Sequence, residues 1–455
     1  MSDPPANIAS VIQASPATFE RRPYWHASMP AVPSYRNRPI PERADVVVVG
    51  GGYTGLVAAL SLARKGARVT LVEKETLGWG ASTRNGGLFH PGLKWGRKSL
   101  ERRYGRELGA SIFQAGVDAY LTAERFVQAE GFDCGLRRTG LLVLAWSDRH
   151  LAEMPAALDE YRAAGLSGRM VVGADLADEV GSTAYPGGML LEESSAIHPG
   201  RYLAALASSA AAAGVDLHTG LTARSIDRVG STRRIGTDRG DIMARDVLIA
   251  TNGYTAGLVP WLDRRIMPIG SYIVASEQMS AQLAHSISPR GRTFFDSKNF
   301  LNYWHVSADR RLIFGGRASF RRTSIDRTAA ILGAALRRIH PQAAHLRIDY
   351  AWGGRIGFTF DRLPHLGQHD GIHYALGCSG SGLALLTTFG ARIADRIGQA
   401  ADVASEPTAF ERIDFPGPPL GALGSLAYSG HPWFLPLAGE WFRAADLWSR
   451  RGMPA

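Results

Sequence analysis

The chain has 455 residues, of which 45% are hydrophobic and 20% charged, and its formal net charge is +10. That length exceeds one ordinary core and predicts two domains or one elaborated α/β body, with the composition of a soluble globular protein. No apolar run reaches the roughly 20 residues that span a bilayer. The basic residues fall in short pairs such as Arg102-Arg103 and Arg310-Arg311 without interleaved aromatics, so no nucleic-acid partner is expected.

Residues 1–41 are rich in Pro, Ser and Arg and are expected to form an irregular arm. The first 22 residues lack the basic and apolar regions of a secretion signal. Cys134 and Cys378 are the only cysteines and lie far apart. That usage fits a reducing compartment, and a cytoplasmic location is expected.

The strongest signal follows the arm. Asp45-Val-Val-Val-Val49 reads as a strand buried on both faces, and Gly50-Gly-Gly52-Tyr-Thr-Gly55 opens a helix with apolar residues at Leu56, Ala59, Leu60 and Ala63. Gly66 stops that helix, Arg68 to Val72 forms a second strand, and Glu73 ends it. Together these make a dinucleotide-binding βαβ unit. Gly50 allows the tight turn, Gly52 the approach of a pyrophosphate, Gly55 the packing of helix on strand, and Glu73 accepts from a ribose.

Between 99 and 164 the pattern is helical, interrupted by a strand candidate at 139–145. An alanine-rich helix is expected over 201–213, short strands over 215–226, and a strand over 241–250 running into the turn at Gly253. Further strands at 267–276, 300–306 and 311–316 predict a second, largely antiparallel sheet. The chain then gives a strand at 372–377, the turn Cys378-Ser-Gly-Ser-Gly382, and a helix over 383–397. No internal repeat is evident.

Three other patterns carry weaker signals. His365, His369 and His373 recur every fourth residue, but Pro364, Gly367 and Gly371 predict a turn with scattered surface histidines, so no metal site is expected. Gly377-x-Ser379 lacks the second glycine of a nucleophile elbow, where Ser381 stands. Trp441, Ala445 and Trp448 share one helical face opposite Arg443 and Arg450, and packing of that face against the body is expected.

The first glycine motif is joined by Gly80-Ala-Ser82-Thr-Arg-Asn85-Gly-Gly87, by Leu248-Ile-Ala-Thr-Asn-Gly253, and by Leu376-Gly-Cys-Ser-Gly-Ser-Gly382. In that order they resemble the FAD-dependent oxidoreductases of the D-amino acid oxidase superfamily. Ile197-His-Pro199, Leu312-Ile-Phe-Gly-Gly316, Trp352-Gly-Gly, Arg362-Leu-Pro364 and Phe415-Pro-Gly417 extend the likeness over nearly the whole chain, towards the gamma-glutamylputrescine oxidase group. The implied fold is α/β: an FAD-binding βαβ domain of the glutathione-reductase-like kind with an inserted substrate domain on a mostly antiparallel sheet. The implied partition is an arm at 1–41, a discontinuous FAD domain at 42–98, 190–261 and 351–400, a substrate domain at 99–189 and 262–350, and a tail at 401–455.

The resemblance places the FAD pyrophosphate on Gly50, Gly52 and Gly55, the ribose on Glu73, and the adenine near Lys74 and Ala223. Ser82, Asn85, Gly86 and Gly87 would line the second phosphate and the flavin, and Ser379, Gly380, Ser381, Gly382 and Leu383 would bring a helix N-terminus to the flavin N1–C2=O edge, where reduced flavin carries negative charge. FAD is expected to be non-covalent, since neither His90 nor a cysteine sits at a family attachment point. Two lysines of sarcosine-oxidising relatives are missing: Ile313 stands where one promotes the oxygen reaction, and Ala384 near where the other binds the substrate carboxylate. Cys378 and Ser381 occupy the loop where putrescine-type relatives carry a Tyr and a His.

The expected reaction is hydride transfer from an amine's α-carbon to flavin N5, giving an imine that hydrolyses to an aldehyde. A gamma-glutamylputrescine-like small-molecule amine is favoured, with oxygen or another electron acceptor. An oxidase or dehydrogenase of an N-alkyl or D-amino acid, or a non-catalytic flavoprotein subunit, are the alternatives. Tyr303, His305 and Arg317 are the candidate substrate-site residues. Oligomeric state is not legible.

Overall fold

A computed structural model describes residues 19–316, 323–398, 406–419, 424 and 428–450. Arg317 therefore lies outside the described residues. The run Arg43–Val49 forms a strand whose valines Val46, Val47 and Val48 are fully buried, because it is central and covered on both faces. It pairs in parallel with Val69–Glu73 on one side and Gly240–Ile249 on the other. Asp216–Thr219 extends the sheet beyond Val69–Glu73. Thr232–Thr237 and Ala223–Val229 add antiparallel strands at the opposite edge. Ile372–Leu376 joins Gly240–Ile249 in parallel and carries His365–His369 as a hairpin partner.

The second sheet also has eight strands. Its order is Ile348–Phe358, Met267–Gln278, Arg311–Gly316, Asn302–Val306, Thr293–Asp296, Leu141–Leu144, Gly187–Leu191 and Gly168–Val172. All neighbours are antiparallel except Thr293–Asp296 and Leu141–Leu144. A core of Phe294, Trp304 and Phe314 packs under it, against Leu332 and Leu336 of the helix Ile325–Ile339. The fold is thus α/β with one mixed and one mostly antiparallel eight-stranded sheet, joined by a small antiparallel sheet of Leu88–Phe89, Ser195–Ala196 and Arg137–Arg138. The helix Arg106–Ala129, which the partition above places with the inserted part, buries Ile112, Phe113, Val117 and Tyr120 in the same core as the nucleotide-unit helix Tyr53–Arg64.

Two expectations need correction. The three histidines are not scattered over the surface. His365 is buried, its Nε2 lies 3.0 Å from Asp361 Oδ2, and its ring stacks on Phe415 at 4.1 Å. His369 stacks on Trp261 at 4.0 Å, and His373 Nε2 is 3.6 Å from Asp246 Oδ1. Strand alternation puts 365, 369 and 373 in a hairpin where each finds its own aromatic or carboxylate neighbour, and no metal-binding cluster occurs among the described residues. The second correction concerns the tail helix Leu435–Arg450. Trp441 and Trp448 are 64% and 46% exposed, so their face is turned to solvent. The helix is held by its other side: the Asp446 carboxylate accepts from the N–H groups of Asn299 and Phe300, and its carbonyl accepts from Trp146 Nε1. No described helix is long and apolar enough to cross a membrane.

The helix Gly382–Gly398 crosses Tyr53–Arg64 at Gly390, where an added Cβ would lie 2.7 Å from Thr54 O and 2.9 Å from Val57 Cβ. Backbone cannot yield there as a side chain can. Gly390→Val should cost about 1–3 kcal/mol of stability through overpacking, seen as a lower melting temperature; an unchanged melt would show that the crossing has slack.

Candidate active site

The glycine motif behaves as its spacing demands. Gly50 has φ +114, and a Cβ on Gly55 would sit 1.9 Å from Gly50 O, so the helix can approach the strand end only without one. At Gly52 a Cβ would come 2.9 Å from Ser82 Oγ, which itself accepts from Tyr53 N–H. Glu73 accepts from Gly51 N–H at 2.8 Å and from Glu75 N–H at 2.9 Å. Burial raises its pKa, and those two N–H groups oppose the shift by favouring the charged form.

These residues open on a cavity of about 670 Å³ that runs between the two sheets. Of the residues expected from sequence, Gly50, Gly52, Glu73, Lys74, Ser82, Asn85, Gly86, Ala223, Tyr303 and Ser379 to Leu383 line it together. Gly55 and Gly87, also expected there, are not on its wall: Gly55 packs against Gly50 O and Gly87 against Ile197 O. His305, expected on the substrate side, is not on the wall: it is 3% exposed beneath the loop at 80–87.

That position gives His305 a different task. Its Nε2 lies 2.9 Å from Gly86 O and its Nδ1 3.3 Å from Val306 O; a neutral ring donates to only one of these carbonyls, and the shorter contact favours the proton on Nε2. Burial lowers its pKa to about 4, so the ring is neutral. Three further side chains hold neighbouring carbonyls. Trp25 Nε1 donates to Asn85 O at 2.8 Å, Trp352 Nε1 to Arg84 O at 3.2 Å, and Tyr53 Oη to Ser82 O. Asn85 closes the loop on itself, donating from Nδ2 to Ala81 O and Ser82 O and accepting from Gly87 N–H. Four carbonyls in five residues are thus tied to buried donors.

Tyr303 is wedged between two glycines. A Cβ on Gly86 would meet its ring at 2.5 Å and one on Gly315 at 2.2 Å, while its hydroxyl lies 3.2 Å from Ser271 Oγ. Both residues line the cavity. At the other end of the chain, Gly377, Ser379 and Gly380 have φ of +83, +50 and +112. Asn252 fixes this turn, accepting from Gly377 N–H at 3.0 Å, and Ser379 N–H donates to Gly357 O at 3.0 Å. A serine in the left-handed region marks stored strain where a helix begins at a cavity.

The two missing lysines have a structural counterpart. Ile313 is 1% exposed and packs with Trp25, Ile273 and Trp352 under the loop, and Ala384 is buried in the first core. Neither opens on the cavity. His90 does, with Nδ1 2.9 Å from Pro91 O and a pKa lowered to about 4, first by burial and then by the nearby charge of Lys94. Sequence reasoning gave no site role to Trp25, Asn252, Trp352 or Lys94: Asn252 and Trp352 stand in motifs that carry the resemblance but show no partner in sequence, and Trp25 and Lys94 stand in none.

The donor set suits FAD: glycine backbone at a helix start, a carboxylate at the strand end, and a loop whose carbonyls are withdrawn from the cavity. Trp25→Phe keeps the ring but removes one donor from that loop. It should cost about 1 kcal/mol, or about fivefold in FAD affinity; an unchanged dissociation constant in an apoprotein titration would refute the role.

Comparison with known proteins agrees with the geometry. Residues 45–396 match the family described as FAD dependent oxidoreductase, DAO. The chain is 32% identical over 366 residues to a probable oxidoreductase OrdL of Rhizobium meliloti, covering 80% of this chain and 85% of that one. It is 31% identical over 397 residues to the gamma-glutamylputrescine oxidoreductase of Escherichia coli, covering 85% and 92%. Among solved structures, glycine oxidase from Geobacillus kaustophilus superposes with a TM-score of 0.68 at 23% identity, over 82% of this chain and all of that one. The chain belongs to the DAO family of FAD-dependent oxidoreductases and is an FAD-dependent enzyme of amine or amino-acid oxidation.

Proposed function

We propose that the chain oxidises the C–N bond of a primary amine of the gamma-glutamylputrescine type. The observation that carries this reading is an apolar part of the cavity lining. Leu88, Leu141, Val143, Leu191 and Phe295 pack in one cluster and all line the cavity, with Tyr161, Tyr303, Ser271 and His90 as polar residues of the same lining. Such a lining takes an alkyl chain and excludes water from it. Likeness to the Escherichia coli enzyme over 85% of the chain supports the same substrate type.

FAD, when bound, would supply the two-electron oxidant by accepting a hydride from the carbon beside nitrogen; with loss of the nitrogen's proton to solvent this leaves an imine, which water would hydrolyse to an aldehyde and ammonia. The chain's residues position the substrate. His90 is neutral, and its Nδ1–H faces Pro91 O, so Nε2 remains an acceptor for an N–H of the substrate. The Tyr303 hydroxyl, oriented by Ser271, is a second polar contact, and the ring's place between Gly86 and Gly315 leaves it little freedom. The strands from Met267 to Phe358 would form the substrate-domain roof over the FAD-binding part. Oxygen or another acceptor would then reoxidise the cofactor.

A second reading, oxidation of an N-alkyl or D-amino acid, is favoured by the likeness to glycine oxidase, 26% identical over 386 residues in Geobacillus kaustophilus. Without lysines at 313 and 384, a small amino acid loses a charged contact typically worth about 1.5–3 kcal/mol, or roughly one to two decades. Anaerobic stopped-flow reduction should therefore be faster with gamma-glutamylputrescine than with sarcosine or D-alanine, and acid precipitation beforehand should release all the flavin to the supernatant. Faster reduction by sarcosine or D-alanine contradicts the substrate assignment, failure of every amine points to a non-catalytic flavoprotein, and flavin retained in the pellet contradicts non-covalent binding.

A further inference from the structure

Tyr161 is a polar residue of the apolar lining with no part in the cofactor cradle. It stands in the last turn of the helix Asp148–Ala163, lines the cavity, and packs in the cluster of Leu88, Leu141, Val143, Leu191 and Phe295. Its ring also lies 5.3 Å from that of Phe113. The hydroxyl end meets Gly92, two residues beyond His90: a Cβ at Gly92 would come 2.5 Å from Tyr161 Oη, and the φ of +101 there disfavours a side chain in any case. The buried hydroxyls of Tyr53, Tyr120, Tyr185, Tyr202 and Tyr428 all have protein partners. That of Tyr161 makes no hydrogen bond with any described residue, so its donor is available to a ligand. Charge narrows the choice of ligand. Glu73 is the one carboxylate among the described residues that line the cavity, and it is held at the ribose end by the N–H groups of Gly51 and Glu75. An ammonium packed beside Tyr161 would have no carboxylate partner, and burying it there is costly. The neutral His90 and the Tyr161 hydroxyl offer an acceptor and a donor instead.

Resting on the amine-oxidation reading, we propose that Tyr161 is a specificity-determining residue whose hydroxyl donates to the carbonyl oxygen of an amide on the substrate. The substrate class is then an N-acylated diamine. Its free amine is oxidised, its alkyl chain lies along the apolar lining, and its acylated nitrogen takes the place of a plain diamine's second ammonium. Gamma-glutamylputrescine belongs to this class, whereas putrescine and sarcosine do not. A neutral amide matches a neutral donor in apolar surroundings, where a second positive charge would be left unpaired.

The test compares FAD-loaded wild type with Tyr161→Phe, which removes one oxygen and keeps the ring. N-butylacetamide, which has the amide and no amine, and toluene, which has neither, are titrated separately against the flavin absorbance. N-butylacetamide should bind wild type, and Tyr161→Phe should weaken it about fivefold or more, with toluene affinity and melting temperature unchanged. In anaerobic reduction by N-acetylputrescine the variant should raise the half-saturating concentration by a similar factor and leave the limiting rate unchanged. Reduction by heptylamine, which has no amide, should be the same in both proteins. Absence of N-butylacetamide binding to wild type, an affinity unchanged in Tyr161→Phe, or an equal loss for toluene or heptylamine overturns the proposal. The amide titration needs no oxidation, so failure of every amine to reduce the flavin would count against the amine-oxidation reading while the titration still decides what Tyr161 recognises.

Discussion

The loop at 80–87 lies against a large cavity with its backbone polarity sorted. Every peptide unit carries a donor and an acceptor on opposite edges when trans, and no cis peptide occurs in the described chain. Tying the carbonyls of Arg84 and Asn85 to the indoles of Trp352 and Trp25 therefore turns the N–H groups of Asn85 and Gly86 the other way. Both residues are on the cavity wall. An acceptor-rich ligand meets donors there instead of carbonyl oxygens, and the donors are fixed before it arrives. Each of these hydrogen bonds contributes only about 0.5–1.5 kcal/mol net, but leaving one of the buried indole N–H groups unpaired costs more, which favours the single loop conformation.

The rest of the architecture serves that loop from several directions. Trp25 comes from the N-terminal arm, which is pinned to the second sheet where Glu20 N–H donates to Asp349 O and Ala351 N–H to Glu20 O. Tyr53 comes from the first helix, and His305 and Trp352 from the second sheet. The first sheet supplies the glycine turn and Glu73, the second supplies Tyr303 and the apolar wall, and the turn at 377–382 closes the remaining side. His90, neutral, and the Tyr303 hydroxyl beside Ser271 are uncharged polar groups on that wall.

Local chemistry was legible in the sequence wherever it repeats at fixed spacing. The valines at 46–49 with glycines at 50, 52 and 55 specify strand, turn and helix start within eleven residues, and Glu73 follows from the length of one helix and one strand. The second, largely antiparallel sheet was readable from the strand-like runs at 267–276 and 311–316. The loop's donors were not, because residues 25, 53, 305 and 352 meet only after both sheets have formed. His305 was misread for the same reason: alternation puts it on the face shared with Tyr303, but the loop lies over it and takes its Nε2. At 365, 369 and 373 a helical spacing fell in a hairpin, where alternation and the local partners Asp361, Trp261 and Asp246 decide the environment. At Trp441 and Trp448 the amphipathic pattern was real, but the polar Asp446 side proved to be the docked one.

The central claim is that the loop's carbonyl groups face away from the cofactor and its N–H edge faces towards it. A crystal structure of the FAD-bound protein tests this most directly. The account predicts the isoalloxazine between the 80–87 loop and the turn at 379–383, with the carbonyls of Ser82, Arg84, Asn85 and Gly86 still on Tyr53, Trp352, Trp25 and His305. A flavin seated elsewhere, or any of those four carbonyls turned into the cavity, would contradict it.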